Sequence, residues 1–188
     1  PGFTRECCTL IENETGRVTE LVVEEPKIQD ENRENKTKEL LELLKSECAK
    51  NPKEKPEAFL VAGSVPSYWN SNIMTEIAKI AKENNILFMA DFKGKTLLDL
   101  IPNFIPEIIK INEEEFLETF YPEKFGQEAT KCDTITLQEL ICEQSKNLAN
   151  IIIVTRGEKD TILAQNGKCL VGKSKTSCGY HWEYISRK

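Results

Sequence analysis

The chain has 188 residues, with 25 Lys+Arg against 31 Asp+Glu and a formal charge of −6. That length predicts one domain, large enough to bury a core. The acidic balance argues against a general nucleic-acid binder, which needs a basic face. No stretch approaches the ~20 apolar residues that span a bilayer, and no basic-then-apolar signal segment opens the sequence.

The first residue is proline and a strand-like pattern begins within a few residues, which predicts a chain picked up in mid-domain. Residues 6–12 read as a strand, Asn13-Glu14-Thr15-Gly16 as a turn, and residues 17–23 as the return strand of a hairpin. Residues 24–35 are charged and read as a loop. Leu40, Leu41, Leu43, Leu44 and Cys48 form a helical stripe that predicts a helix over Lys36–Lys50. Ala58-Phe59-Leu60-Val61-Ala62 is an unbroken apolar run, the signature of a strand buried on both faces.

Ser71 is placed to cap a helix running to about Asn84, with Ile73, Ile77, Ile80 and Ala81 on one side. Ile86–Ala90 reads as a second buried strand, a short helix follows Gly94, and Glu107–Ile111 reads as a third strand. Glu113–Phe120 opens a helix with three acids in its first turn, where the helix dipole favours them. A further helix is predicted over Thr136–Leu148 and a fourth apolar strand over Ile151–Thr155. Thr161–Gln165 and Lys168–Val171 flank Asn166-Gly167, the strongest two-residue hairpin signal.

Strands alternating with helices predict an α/β fold, a mostly parallel sheet with crossover helices on both faces and antiparallel hairpins at both ends. In such sheets ligands bind beyond the carboxyl ends of the strands. Gly63-Ser64, Asp91, Asn112 and Gly157 therefore carry most weight. Gly63 and Ser64 offer donors for a phosphate or a hydroxyl, or make a plain strand-to-helix turn. Asp91 reads as a base or metal ligand, or as a carboxylate that accepts backbone N–H bonds in its loop. Asn112 and Glu115 have capping-box spacing. With Lys110 they also suit a Mg²⁺-bound triphosphate. Thr155 and Gly157 let a nucleotide lie against the backbone, or simply approach a hairpin.

Seven cysteines, odd in number and without a Cys-x-x-Cys pair, stand beside a single histidine, His181. Reduced, buried thiols are the expected reading, and a zinc site is not.

Taken in order, Ala62-Gly63-Ser64-Val65-Pro66, Asp91 to Gly94, Lys110-x-Asn112-x-x-Glu115 and Thr155-x-Gly157 resemble the motifs of the phosphofructokinase-B branch of the ribokinase-like carbohydrate kinases. Ile111 stands where that family has Pro, and Asp160 where it has a last Gly. The opening Thr4-Arg5 through Leu10 is similar to the family's Thr-Arg-x-x-x-x-Leu strand. The resemblance runs from about residue 3 to about residue 171 and is strongest to hexose-phosphate kinases of the tagatose-6-phosphate kinase and 1-phosphofructokinase types.

The resemblance implies a three-layer, doubly wound sheet and a cytoplasmic transferase using ATP and Mg²⁺. It implies that Arg5, Gly63 and Ser64 hold the sugar phosphate. Lys110, Asn112, Glu115, Thr155 and Gly157 would bind nucleotide, and Glu115 would hold Mg²⁺ through water. It also implies that residues 1–188 are one partial domain, lacking the family's N-terminal sugar-binding portion and its C-terminal Gly-Ala/Ser-Gly-Asp motif. That motif supplies an anion hole and the catalytic base. No Asp lies beyond Asp160, so no catalytic residue is assigned and an inactive fragment is expected. Read one base later, codons for Ser177 to Glu183 can spell Val-Val-Asp-Thr-Ile-Gly-Ser, similar to the family's approach to this motif. The competing reading is a non-catalytic nucleotide-binding or assembly module. In either case an incomplete sheet predicts exposed apolar surface and self-association near residues 6–12.

Overall fold

The computed structural model describes residues 6–23, 30–65, 69, 72–125, 132–174 and 180–185. The chain opens on β1 (Cys7–Ile11) and β2 (Val18–Val22), paired antiparallel with Cys7 opposite Val22 and Ile11 opposite Val18. Gly16 takes φ +69° in the turn, a left-handed conformation that glycine adopts without steric cost. Every residue of this ribbon is exposed on both faces, including Leu10, Ile11, Val18, Leu21 and Val22.

Next comes α1 (Asp30–Cys48), which starts well before Lys36, within what reads as a charged loop. Glu, Lys and Arg are good helix formers, so a charged run need not interrupt a helix. The leucine stripe marks only the turns that pack: Thr37 and Cys48 are buried, and Leu40, Leu41 and Leu44 partly so.

After α1 the chain forms β3 (Ala58–Ala62), α2 (Ile73–Glu83), β4 (Leu87–Asp91), α3 (Gly94–Leu100) and β5 (Ile108–Asn112). Then come α4 (Glu113–Phe120), a single turn α5 (Pro122–Phe125), α6 (Thr134–Gln144) and β6 (Ile151–Arg156). The strands β7 (Lys159–Gln165), β8 (Lys168–Ser174) and β9 (Tyr180–Ile185) complete a seven-stranded sheet. Its order is β3-β4-β5-β6-β7-β8-β9, with β3 to β6 parallel and β6 to β9 antiparallel. The α/β class, the parallel strands and the antiparallel hairpins at both ends are as the sequence predicts.

Some boundaries differ from the expectation. Asn72, without a side-chain cap bond, precedes α2, and Ser71 lies outside the described residues. The helix α6 begins earlier than Thr136 because the Asp133 carboxylate accepts from the amides of Ile135 and Thr136, both at 3.0 Å. Asn166 and Gly167 both take positive φ between β7 and β8, as the turn type requires.

Phe59, Phe88, Ile109, Ile111, Ile152 and Val154 alternate onto one face of the sheet and are buried. On the opposite face, Leu60 stands opposite Met89, Met89 opposite Ile108, and Ile108 opposite Ile151. This face is less covered: Leu60 is 61% exposed and Leu87, two residues before Met89 on the same face, 38%, while Met89, Ile108 and Ile151 are half-buried. The unbroken apolar runs predict burial on both faces, and the described residues cover one. The physical reason is strand order. Successive parallel strands lie side by side in chain order, so crossovers of one hand all pass over the same side.

Among the cysteines, Cys7 and Cys8 are exposed and Cys48 and Cys132 are buried. Burial pushes both buried thiols above their ordinary pKa. Cys142 of α6 and Cys169 of β8 form a disulfide, with Cα atoms 6.0 Å apart. This corrects the reading of uniformly reduced thiols, because packing α6 on β8 brings together residues far apart in sequence. No described helix is long and apolar enough to cross a membrane.

Candidate functional site

The parallel register aligns the carboxyl ends of β3 to β6 along one edge, with Ala62 opposite Asp91 and Asn112 opposite Thr155. At the β3 end, Gly63 takes φ +87° and donates its N–H to the Asp91 carbonyl at 2.9 Å. The Asp91 carboxylate accepts from Lys110 Nζ at 3.2 and 2.9 Å. Asp91 therefore serves its loop through its carbonyl, and its carboxylate is committed to a lysine on the next strand. The two side chains form an ion pair at the partly exposed edge.

Asn112 ends β5 and caps α4. Its side chain accepts from the Glu115 amide at 2.8 Å, and Glu115 Oε2 accepts from the Asn112 amide at 3.2 Å. This reciprocal capping box satisfies two helix-end donors and holds both residues at the strand edge. Nearby, the α3 N-terminus is tied to α4 by Gly94 N–H donating to Thr119 Oγ1 at 2.9 Å. Lys93 reaches Glu118 at 3.0 Å, and that hydrogen bond raises the lysine above its ordinary pKa.

Beside Asn112 lies a cavity of about 420 Å³. Asn112, Glu113 and Glu114 form one wall, and Thr155, Arg156, Gly157 and Lys159 form the other. Gly157 has φ +62°, and no atom lies within 4 Å of where a Cβ would sit, leaving the backbone open to a ligand. Under the cavity, Arg156 Nε meets Glu113 Oε2 at 3.0 Å and Arg156 Nη2 donates to Thr134 Oγ1 at 3.0 Å. Only 3% of the Arg156 side chain and 14% of the Glu113 side chain are exposed. Lys159 Nζ approaches the same Glu113 oxygen at 3.9 Å, while Glu113 Oε1 is buried without a hydrogen-bond partner.

Of the residues singled out from sequence, Asn112, Thr155 and Gly157 line this one cavity. Glu115 is bound to Asn112 one turn into α4, while Lys110 sits further back on β5 against Asp91. Gly63 and Ser64 follow β3 at the same sheet edge but do not line the cavity. Arg5 and Pro66 lie outside the described residues. Sequence reasoning passed over Glu113, Arg156 and Lys159. One signal was available. Arg156 continues the alternation of Ile152 and Val154, so strand periodicity alone puts it on the buried side, where an arginine must find an acceptor.

Comparison with known proteins bears on the family and the fold. A family profile described as pfkB family carbohydrate kinase matches residues 3–175. Tagatose-6-phosphate kinase of Staphylococcus epidermidis is 31% identical over 115 residues, covering 61% of this chain and 34% of that protein. The crystal structure of a possible 1-phosphofructokinase from Thermotoga maritima superposes with a TM-score of 0.70 at 18% identity, over 94% of this chain and 50% of the other. Phosphofructokinase-2 of Escherichia coli in its tetrameric inhibited form gives a TM-score of 0.71 at 14% identity, over 95% of this chain and 53% of the other. The chain thus spans about a third of the curated relative and about half of each solved structure, whose likeness concerns the fold. With its strand-end motifs in family order and the profile matched over nearly its whole length, this chain belongs to the pfkB family of carbohydrate kinases.

Proposed function

We propose that this chain is the nucleotide-holding part of an ATP-dependent kinase for a hexose phosphate, acting in the cytoplasm as one partial ribokinase-like domain. The observation that carries the reading is the cavity at the carboxyl ends of β5 and β6, walled by Asn112, Thr155 and Gly157. Its volume falls in the usual range for small-molecule sites, roughly 300–1,000 Å³.

In this reading the nucleotide lies along Thr155 and Gly157, and Lys110 neutralises phosphate charge by exchanging Asp91 for a phosphate oxygen. Glu115 spends Oε2 on the capping box. The residues at this edge suit Mg²⁺ that arrives on the nucleotide. Such an ion takes one or two protein carboxylates. Bound there, Mg²⁺ would supply charge neutralisation between the phosphates, with Glu115 holding it through water. Ser64 and Gly63, with Arg5, would take the phosphate of the sugar. The family's base has no counterpart here, so this chain alone binds nucleotide without transferring phosphate.

Calorimetric titration with MgATP, run beside a phosphotransfer assay on tagatose 6-phosphate, fructose 1-phosphate and fructose 6-phosphate, tests this. Binding without turnover is expected. The absence of binding would remove the nucleotide reading, and turnover would remove the inactive-fragment reading.

The open sheet face and the exposed β1–β2 ribbon favour a second reading, an assembly module that pairs through the ribbon edge near residues 6–12. Sedimentation of the intact chain would then show dimers or larger species that Leu10→Lys disperses. A strictly monomeric chain at high concentration would overturn it.

A further inference from the structure

Arg156 stands between Thr155 and Gly157, and Glu113 directly follows Asn112. One ion pair thus joins the two walls of the cavity, each partner adjacent in sequence to Asn112 or to Thr155 and Gly157. The walls need such a tie. The parallel ladder between β5 and β6 ends at the Asn112–Thr155 pair. The β6–β7 register slips between Val154 and Arg156, and Gly157 turns the chain immediately afterwards. Past Thr155, then, regular backbone pairing no longer fixes the distance between the walls.

The Arg156 side chain supplies what the ladder does not. Its planar fork reaches two acceptors on two different helices, Glu113 on α4 and Thr134 on α6, both at 3.0 Å. A lysine at this position offers one compact charge and cannot hold both at fixed angles. Being almost wholly buried, Arg156 is not free to grip a phosphate itself. We propose that Arg156, through Glu113 and Thr134, is a positioning residue that sets the separation of Asn112 from the Thr155–Gly157 turn, and with it the nucleotide affinity of the cavity. This inference rests on the nucleotide reading of that cavity.

Three variants of the intact chain test it, with MgATP titration and amide hydrogen exchange as readouts. Arg156→Lys keeps the charge and loses the fork. It is expected to weaken MgATP binding by about tenfold and to speed exchange at residues 112–115 and 155–157. Arg156→Met combined with Glu113→Leu removes both buried charges at similar volume, an exchange that is often neutral or stabilising. Its melting temperature should match or exceed that of the parent while its MgATP binding is still about tenfold weaker. A purely structural role would make affinity follow stability. Ile77→Val, in the buried face of α2 and far from the cavity in sequence, should lower the melting temperature and leave affinity unchanged. Parent-like affinity and exchange in both Arg156 variants would overturn the inference. If the parent chain itself does not bind MgATP, the nucleotide reading falls. Exchange then decides the geometry: loosening confined to the two walls upholds the positioning role, and unchanged exchange overturns it.

Discussion

The two faces of the seven-stranded sheet are built from the same residue types and have opposite fates. Phe88 and Ile109 on one face are fully buried under helices, while Leu60 and Leu87 on the other stand open. The strands alternate their side chains, so each apolar run divides itself between the two. What differs is the crossover layer, and that is set by strand order. Apolar content therefore does not report how much of a sheet is covered.

The largest test of this contrast is a pair of substitutions. Phe88→Ala should cost about 3–5 kcal/mol in denaturant unfolding, because it removes a ring packed edge-on against Phe104. Leu60→Ala should stay within about 0.5 kcal/mol, as expected of a surface position. Equal costs would mean that the open face is covered in solution. A smaller effect lies where the covered face meets the sheet edge. Asn112→Ala removes half of the capping box and should cost about 1 kcal/mol, read as a lower midpoint with an unchanged denaturant slope.

The smallest effect concerns the helix layer itself. The Thr136 hydroxyl and amide hold the Asp133 carboxyl below its ordinary pKa. A lowered folded pKa adds stability that is complete above the unfolded value and lost as pH falls through the folded one. The melting temperature should therefore show a small acid-side decline that Asp133→Asn flattens, since Asn still caps but does not titrate there. An identical pH profile for the two proteins would show that this cap does not contribute.

Much of this was legible from residues alone. The Asn166-Gly167 turn, the buried stripe Ile73-Ile77-Ile80-Ala81, the capping spacing of Asn112 and Glu115, and the strand-end motifs all rest on local chemistry. The elements that escaped depend on the third dimension. The extent of α1 was hidden because a solvated charged helix and a charged loop share a composition. The one-sided cover of β3 was hidden because a half-covered and a fully covered strand share an apolar run. The Arg156–Glu113–Thr134 tie has no local signature, since its partners are distant in sequence.

The sequential strand order has a kinetic consequence. Each strand of the large sheet pairs with the one made immediately before it, so no pairing waits for a distant segment to be synthesised. The chain can add one ladder at a time as it leaves the ribosome, and each loop it closes spans no more than one crossover.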